Sequence, residues 1–295
     1  LRAGDWVVMS YAWCGTCTHC RQGQPYTCES NLPLNFSGRR QDGSATLRLG
    51  GQPVSAAFFQ QSSFATRAIT LARDVVKVPP GSPPELLAAL PCGVMTGAGT
   101  VLNALQVRAG EGVAVFGAGA VGLSAIMAAR IVGANPIVAI DINPRRLELA
   151  RELGATAALN SADPEMAAQL QALAPRGLAY AVETSGSERA FSDALDCLGL
   201  GGTCAYVTVP GRGANIPFNP EKFFLKAARM QGVFLGSAVP AVFLPRLLAW
   251  QQQGRFPFER LVRTYGLADI NQAVADAAGG VTVKPVLLMP GADAQ

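Results

Sequence analysis

The stretch GVAVFGAGAVG, residues 112–122, decides the fold of this chain. Its first five residues are rich in β-formers and indicate a buried strand, and the small and apolar residues 123–132 that follow indicate a helix. A G-x-G-x-x-G motif between a strand and a helix is typical of dinucleotide-binding folds. Gly117 permits a tight turn, Gly119 lets a pyrophosphate approach the backbone, and Gly122 lets helix and strand pack closely. The phosphates then meet free N–H groups at the helix N-terminus.

A second predicted strand, residues 137–140, ends in Asp141, nineteen residues after Gly122. An acid about 20 residues after the glycines binds the adenosine ribose hydroxyls and repels the 2′-phosphate of NADP. Arg145 and Arg146 lie close by and weaken that preference. The sequence therefore favours NAD and leaves NADP open. The agreement of strand, helix and acid disfavours a mere glycine-rich packing motif.

Strands and helices continue to alternate along the chain. The predicted elements are helices at 144–153, 165–173 and 188–198 and strands at 157–159, 180–183, 202–207 and 231–235. Such alternation predicts an α/β fold with a doubly wound, six-stranded parallel sheet within residues 94–236. The strand at 231–235 is predicted to be an apolar edge strand, and exposed edges invite pairing between chains.

Composition excludes several classes of protein. The chain has 295 residues, 49% hydrophobic and 15% charged, with a net charge of +4. This composition excludes a disordered chain, and the basic residues are too scattered for a nucleic-acid-binding face. Residues 86–107 and 113–129 carry no charge, but prolines, glycines and polar residues interrupt them, so we interpret both as buried elements rather than membrane spans. No signal peptide is evident.

Four of the seven cysteines follow a C-x2-C-x2-C-x7-C pattern: Cys14, Cys17, Cys20 and Cys28. Four thiolates close a tetrahedron around zinc and leave no position for substrate, so we predict a structural zinc site. Disulfides and an iron–sulfur cluster are the disfavoured alternatives. His19, the one histidine, is interpreted as an exposed loop residue. Cys92 stands apart from this cluster, and composition alone favours a small buried hydrophobe there.

Together these residues resemble the zinc-dependent medium-chain alcohol dehydrogenases. The resemblance rests on the four-cysteine lobe, the preceding GDWVV (4–8), the Cys92 segment, and the glycine motif with Asp141. The branch of aryl-alcohol (benzyl alcohol) dehydrogenases is the most similar. The phrases that carry this finer match are NFSG (35–38), QSSFAT (61–66), CGVMTGAG (92–99), VETSG (182–186) and GVTVKP (280–285).

The resemblance implies a Rossmann NAD-binding domain at 94–238 and a GroES-like β-barrel catalytic domain built from residues 1–93 and 239–295. It implies one structural and one catalytic zinc, with Cys92 as a ligand of the catalytic ion, and NAD as cofactor. The positions implied to bind the cofactor are Thr96, Gly117, Gly119, Val121, Gly122, Asp141, Arg146, Thr184, Val207, Val209 and Lys284. Phe59 and Phe234 match positions that line the substrate pocket, and aromatic walls suit an aryl substrate.

One departure from the family is serious. The family's first catalytic cysteine and its Gly-His-Glu segment lie upstream of the GD turn at which this chain starts. His19 sits in the cysteine lobe and does not replace them. We therefore expect an N-terminally truncated fragment, inactive by itself, with one of three catalytic zinc ligands and with exposed strand edges in the GroES-like domain.

For the intact protein the resemblance implies oxidation of an aryl primary alcohol to its aldehyde, with hydride transfer to NAD. Terpenoid alcohols are close alternatives, and glutathione-dependent formaldehyde dehydrogenases are more distant ones. A zinc-free quinone reductase is disfavoured by the cysteines, and a non-catalytic NAD-binding protein remains the alternative if Leu1 is a true start. The expected partners are a small-molecule alcohol or aldehyde and other copies of the chain, as a homodimer or homotetramer. The expected location is the cytoplasm.

Overall fold

The computed structural model describes residues 1–61, 63–208, 211, 213–216 and 218–291. The chain divides into two compact units. The first unit comprises Leu1–Cys92, Ala238–Ala249 and Phe258–Gln295, and the second unit comprises Gly93–Ser237 and Trp250–Pro257.

The described strands are β1 Val7–Met9, β2 Leu47–Leu49, β3 Gln52–Val54, β4 Val75–Lys77, β5 Val113–Phe116, β6 Ile137–Asp141, β7 Ala157–Asn160, β8 Leu178–Glu183, β9 Leu198–Tyr206, β10 Arg229–Gly232, β11 Val262–Gly266 and β12 Lys284–Leu288. The described α-helices are α1 Thr18–Arg21, α2 Asn31–Phe36, α3 Pro84–Leu87, α4 Met95–Gly99, α5 Ala120–Val132, α6 Pro144–Leu153, α7 Met166–Leu173, α8 Glu188–Asp196, α9 Pro220–Leu225, α10 Pro240–Gln252 and α11 Ile270–Ala278. None of the helices in the described ranges is long and apolar enough to cross a membrane.

The second unit contains a six-stranded sheet in the order β10-β9-β8-β5-β6-β7, and every pairing is parallel. This confirms the predicted doubly wound α/β fold. The chain leaves β5 toward β6 and β7 and later returns to the other side of β5 with β8. Ligands of such folds bind outside the carboxyl ends of the strands at this switch point. Fully buried residues such as Phe116 and Ile140 pack the core beneath helices α7 and α8.

Two predicted strand boundaries were wrong. The edge strand is Arg229–Gly232 rather than 231–235, because Leu235, Gly236 and Ser237 adopt positive φ angles that end an extended strand. Strand β9 begins at Leu198, four residues before the predicted start. Its pairing with β8 shifts register between Leu178 and Tyr180, and this irregularity accommodates the glycines that argue against a strand in the sequence.

The first unit contains three two-stranded sheets within the described residues. Strands β1 and β4 pair antiparallel, β2 and β3 form a hairpin, and β11 and β12 pair parallel. The hairpin turns at Gly50 and Gly51, which both have positive φ and so suit a tight two-residue turn. Each of these strands is paired on one side only within the described ranges.

Candidate functional site

The glycine-rich turn joins β5 to α5, and each of its three glycines meets a different constraint. Gly117 has φ +93°, and a Cβ there would lie 2.7 Å from Thr184 Oγ1. A Cβ on Gly122 would lie 1.8 Å from the Gly117 carbonyl oxygen, so the helix and the turn pack without room for a side chain. A Cβ on Gly119 would meet no atom within 4 Å. The second glycine therefore borders open space, where a pyrophosphate can approach the backbone.

The N-terminus of α5 is available to an anion. Gly119 is its N-cap and supplies no side-chain hydrogen bond to the first turn. The first N–H groups of a helix have no partners within the helix and carry partial positive charge. Helix α5 therefore points its N-terminal N–H groups toward the open side of Gly119, as the phosphate-binding interpretation requires.

Asp141 ends β6 and is held in place by backbone donors on both sides. Its Oδ2 accepts a hydrogen bond from the Ala118 N–H at 2.6 Å, and its Oδ1 accepts one from the Asn143 N–H at 2.8 Å. The carboxylate is thus fixed between the glycine turn and the loop after β6. It is buried, with 8% of its surface exposed, and it lines a cavity.

A cavity of about 570 Å³ lies at the carboxyl ends of β5, β6 and β8. It is lined by five of the predicted cofactor residues: Gly117, Gly119, Asp141, Arg146 and Thr184. Among the described residues, the buried Nε of Arg146 has no hydrogen-bond partner, and this free donor suits a ribose hydroxyl. The cavity residues therefore fit a dinucleotide's adenosine half.

Residues at the end of β8 form hydrogen bonds that fix one wall of this cavity. Thr184 Oγ1 lies 3.0 Å from the Phe116 carbonyl oxygen and 2.9 Å from that of Gly117, so its hydroxyl is anchored to the glycine turn. Glu183 is fully buried and accepts hydrogen bonds from the Ser185 N–H and hydroxyl and from the Gly186 N–H. Burial raises the pKa of the Glu183 carboxyl, while the hydrogen bonds from Ser185 and Gly186 oppose that rise.

Several predicted cofactor residues lie away from the cavity lining. Thr96 is buried in α4, Val121 and Gly122 lie in the first turn of α5, and Val207 follows β9. Lys284 belongs to the first unit, where it begins β12 and is half-buried. Val209 lies outside the described residues. Conversely, Ile142 and Arg189 line the cavity, although neither was predicted from the sequence. Ile142 is an apolar residue that follows Asp141, and Arg189 lies in the first turn of the amphipathic helix α8, so neither belongs to a recognisable motif.

The four cysteines of the predicted lobe converge. The Sγ atoms of Cys14, Cys17, Cys20 and Cys28 all lie within 4.8 Å of one another. Those of Cys14 and Cys20 are 3.9 Å apart, close to the ~3.8 Å that Zn–S bonds of ~2.3 Å impose on a tetrahedron. All four cysteines are free thiols, so the disulfide alternative finds no support in the structure. The donor set and its spacing fit a zinc ion.

Backbone N–H groups prepare part of this lobe for thiolates. The N–H groups of Thr16 and Cys17 lie 3.4 and 3.3 Å from Cys14 Sγ and lower the pKa of that thiol to about 5. Burial instead raises the pKa of Cys20, to about 12. The lobe therefore favours the thiolate form at Cys14 and disfavours it at Cys20 until a cation is bound.

Two interpretations of residues near metal chemistry were wrong. His19 lies half-buried in helix α1 rather than exposed in a loop, and its Nδ1 lies 3.2 Å from Thr27 Oγ1. Cys92 is exposed rather than buried in the core. Among the described residues, no group of three or more metal-ligating side chains other than the four-cysteine lobe was found, so Cys92 has no such co-ligands there. Its role as a catalytic zinc ligand remains a prediction.

Of the two predicted substrate-pocket residues, Phe59 lies in the first unit and Phe234 in the second. Phe59 is 8% exposed and has a left-handed backbone with φ 54°. Its ring stacks on Phe58 at 4.3 Å between centroids, and Phe36 meets both rings edge-on at 5.5 and 6.0 Å. Phe36 and Phe58 are about half exposed, so this aromatic trio presents an apolar face within the first unit.

Comparisons with known proteins agree with this geometry. Residues 120–250 match the family model described as zinc-binding dehydrogenase. Geraniol dehydrogenase of Castellaniella defragrans is 40% identical over 290 residues, which are 98% of this chain and 78% of that protein. A zinc-binding-domain alcohol dehydrogenase from Burkholderia ambifaria has a TM-score of 0.94 at 45% identity, covering 98% of this chain and 79% of that one. Benzyl alcohol dehydrogenase from Acinetobacter calcoaceticus has a TM-score of 0.92 at 40% identity, covering 98% and 78%. Zinc and NAD are the cofactors expected of such proteins. The chain belongs to the zinc-dependent medium-chain alcohol dehydrogenases.

Proposed function

We propose that the intact protein oxidises hydrophobic primary alcohols of the aryl (benzyl) type to aldehydes with NAD. The observation that carries the proposal is the cavity at the switch point of the sheet, with Asp141, Arg146 and the glycine turn on its walls. The aromatic trio of Phe36, Phe58 and Phe59 supports a planar hydrocarbon substrate, because aromatic side chains favour stacked or edge-on contacts with other rings.

A terpenoid alcohol is the second candidate, because one relative at 40% identity is a geraniol dehydrogenase. Benzyl alcohol and geraniol share one feature: the carbinol carbon is bonded to an sp² carbon. We infer that this shared feature defines the substrate class better than the aromatic ring alone. The alternative is that the enzyme accepts only alcohols that carry an aromatic ring.

The proposal gives the following roles to the chain's own residues. Asp141 and Arg146 would bind the adenosine ribose, and the N–H groups at the start of α5 would bind the pyrophosphate. The cysteine lobe would hold the structural zinc, and Cys92 would be one ligand of the catalytic zinc. Zinc, when bound, supplies a Lewis acid that lowers the pKa of an alcohol. Thr96, Val121, Thr184, Val207, Val209 and Lys284 remain proposed cofactor contacts, with Phe59 and Phe234 as proposed substrate contacts.

Matched pairs of alcohols test the substrate class. NADH formation is measured at 340 nm for benzyl alcohol against cyclohexylmethanol, and for geraniol against citronellol, whose C2–C3 bond is saturated. We expect kcat/KM to be at least ~10-fold higher for the unsaturated member of each pair, because loss of a stacking contact and of the adjacent π-system costs about 1.4 kcal/mol or more.

Each other outcome has a definite meaning. Equal rates within both pairs would contradict the proposed class. A preference confined to the benzyl pair would restrict the class to aryl alcohols. Binding of NAD with no turnover of any alcohol, in the zinc-loaded intact protein, would favour a non-catalytic NAD-binding protein.

A further inference from the structure

Arg73 lies against the four-cysteine lobe although it is 45 residues beyond Cys28 in sequence. It belongs to a helical turn, Ala72–Asp74, that leads into β4. Strand β4 pairs with β1, and the Ser10 N–H extends this pairing with a 2.8 Å hydrogen bond to the Asp74 carbonyl oxygen. Because the chain after Ser10 runs directly into Cys14, the pairing brings Arg73 alongside the start of the lobe.

The contact itself is made on Gly15. Gly15 has φ +75°, and a Cβ built there would lie 3.3 Å from Arg73 Nη1 and 3.8 Å from Cδ. The guanidinium therefore packs directly on the Gly15 Cα. Gly15 directly precedes Thr16, and the N–H groups of Thr16 and Cys17 lie 3.4 and 3.3 Å from Cys14 Sγ. Arg73 thus covers the backbone turn whose N–H groups contact one of the four sulfurs.

Asp74 orients the arginine from the buried side. Its side chain has no exposed surface, and its Oδ1 lies 3.9 Å from Arg73 Nε. The Arg73 side chain is 42% exposed. The guanidinium is thereby held between a buried carboxylate and the lobe instead of extending into solvent. Fixing an arginine in this way costs side-chain entropy that a solvent-exposed arginine would keep.

The charge of the lobe explains why an arginine is placed against it. Four thiolates around Zn²⁺ leave a formal charge of −2, and partly buried charge is costly unless it is compensated. We propose that Arg73 is a positioning residue of the four-cysteine lobe, which fixes the Gly15 turn and compensates part of the negative charge of the zinc–thiolate site. This inference rests on the proposed zinc occupancy of the lobe.

The test is release of zinc from the purified protein to the chromogenic chelator 4-(2-pyridylazo)resorcinol. Replacement of an outer partner of a metal site usually lowers affinity 10- to 100-fold. We expect R73Q to release zinc at least ~10-fold faster than the wild type, and R73K to recover most of that loss because it keeps the charge. R67Q is the matched control, since Arg67 is an exposed arginine of the same unit.

The outcomes separate this inference from the zinc assignment. If R73Q and R67Q release zinc at the same rate, the role of Arg73 is refuted while the zinc site stands. If the wild type binds no zinc that depends on Cys20, the zinc assignment itself fails. If R73Q folds poorly, the wild type alone still tests the proposal. Zinc release from the wild type should become faster as the ionic strength rises, because salt screens the charge of the half-exposed Arg73. No salt dependence would count against the charge compensation.

Discussion

Replacing Asp74 by asparagine should stabilise the first unit at neutral pH. The Asp74 side chain has no exposed surface, and within the described residues neither carboxylate oxygen has a hydrogen-bond partner of good geometry. Burial raises the pKa of this carboxyl to about 6, against an ordinary value of 3.8, although the charge of Arg73 and the Trp13 N–H oppose the rise. Folding therefore favours the protonated form of Asp74.

The sign and size of the effect follow from this difference. Below pH ~4 the Asp74 carboxyl is protonated in both the folded and the unfolded state, and its contribution to the free energy of unfolding is at its most favourable. This contribution is lost as the pH rises to about 6. At about 1.4 kcal/mol for each pH unit, the difference between the two pKa values corresponds to at most ~3 kcal/mol. We expect D74N to gain up to ~3 kcal/mol of stability at pH 7.5 and about a third of that near pH 4.5.

Urea unfolding followed by tryptophan fluorescence measures this effect, because Trp6 and Trp13 both lie in the first unit. D5N is the control of opposite sign. The Lys77 ammonium, 2.5 Å from Asp5 Oδ1, lowers the pKa of that carboxyl, so D5N should lose stability at neutral pH. A D74N variant that is destabilised at pH 7.5, or whose gain is the same at pH 4.5, would refute the reasoning.

Further predictions concern the cofactor, the packing and the metal. D141A should weaken NAD binding more than NADP binding in fluorescence titrations; equal losses would argue against the ribose role. G97A should lower the free energy of unfolding by ~1–3 kcal/mol or more in urea titrations, because its Cβ would lie 2.0 Å from a backbone carbonyl oxygen of α5. Y180F should cost ~1 kcal/mol in the same assay by removing the 2.7 Å hydrogen bond to Glu111. C20S should lose the zinc of the lobe, as measured by atomic absorption; unchanged zinc content would contradict the assignment.

The parts of the site that depend on local sequence could be predicted. The glycine turn, Asp141 and the cysteine lobe are each specified within a few tens of residues, where spacing and geometry are directly linked. The parallel, six-stranded sheet also followed from the alternation of elements. The start of β9 could not be predicted, because a bulge beside Gly199 depends on the neighbouring strand.

The unpredicted features depend on contacts between distant segments. Arg73 has no motif, and its importance becomes visible once β4 pairs with β1 beside the lobe. Phe36 and Phe58 are ordinary apolar residues in sequence, yet the fold stacks them around Phe59. Cys92 shows the converse: a free cysteine is usually buried, and its exposure is set by tertiary structure rather than by composition.

The arrangement of the two units along the chain sets an order for synthesis on the ribosome. The second unit closes over one nearly continuous segment, Gly93–Ser237, joined later by Trp250–Pro257. The first unit instead needs residues from both ends, as in the hydrogen bond from the Tyr11 hydroxyl to the Ala238 carbonyl oxygen. Contacts between such distant residues form slowly. We therefore expect the cysteine lobe and the nucleotide-binding sheet to form during translation, while the rest of the first unit waits for the C-terminal segment to emerge.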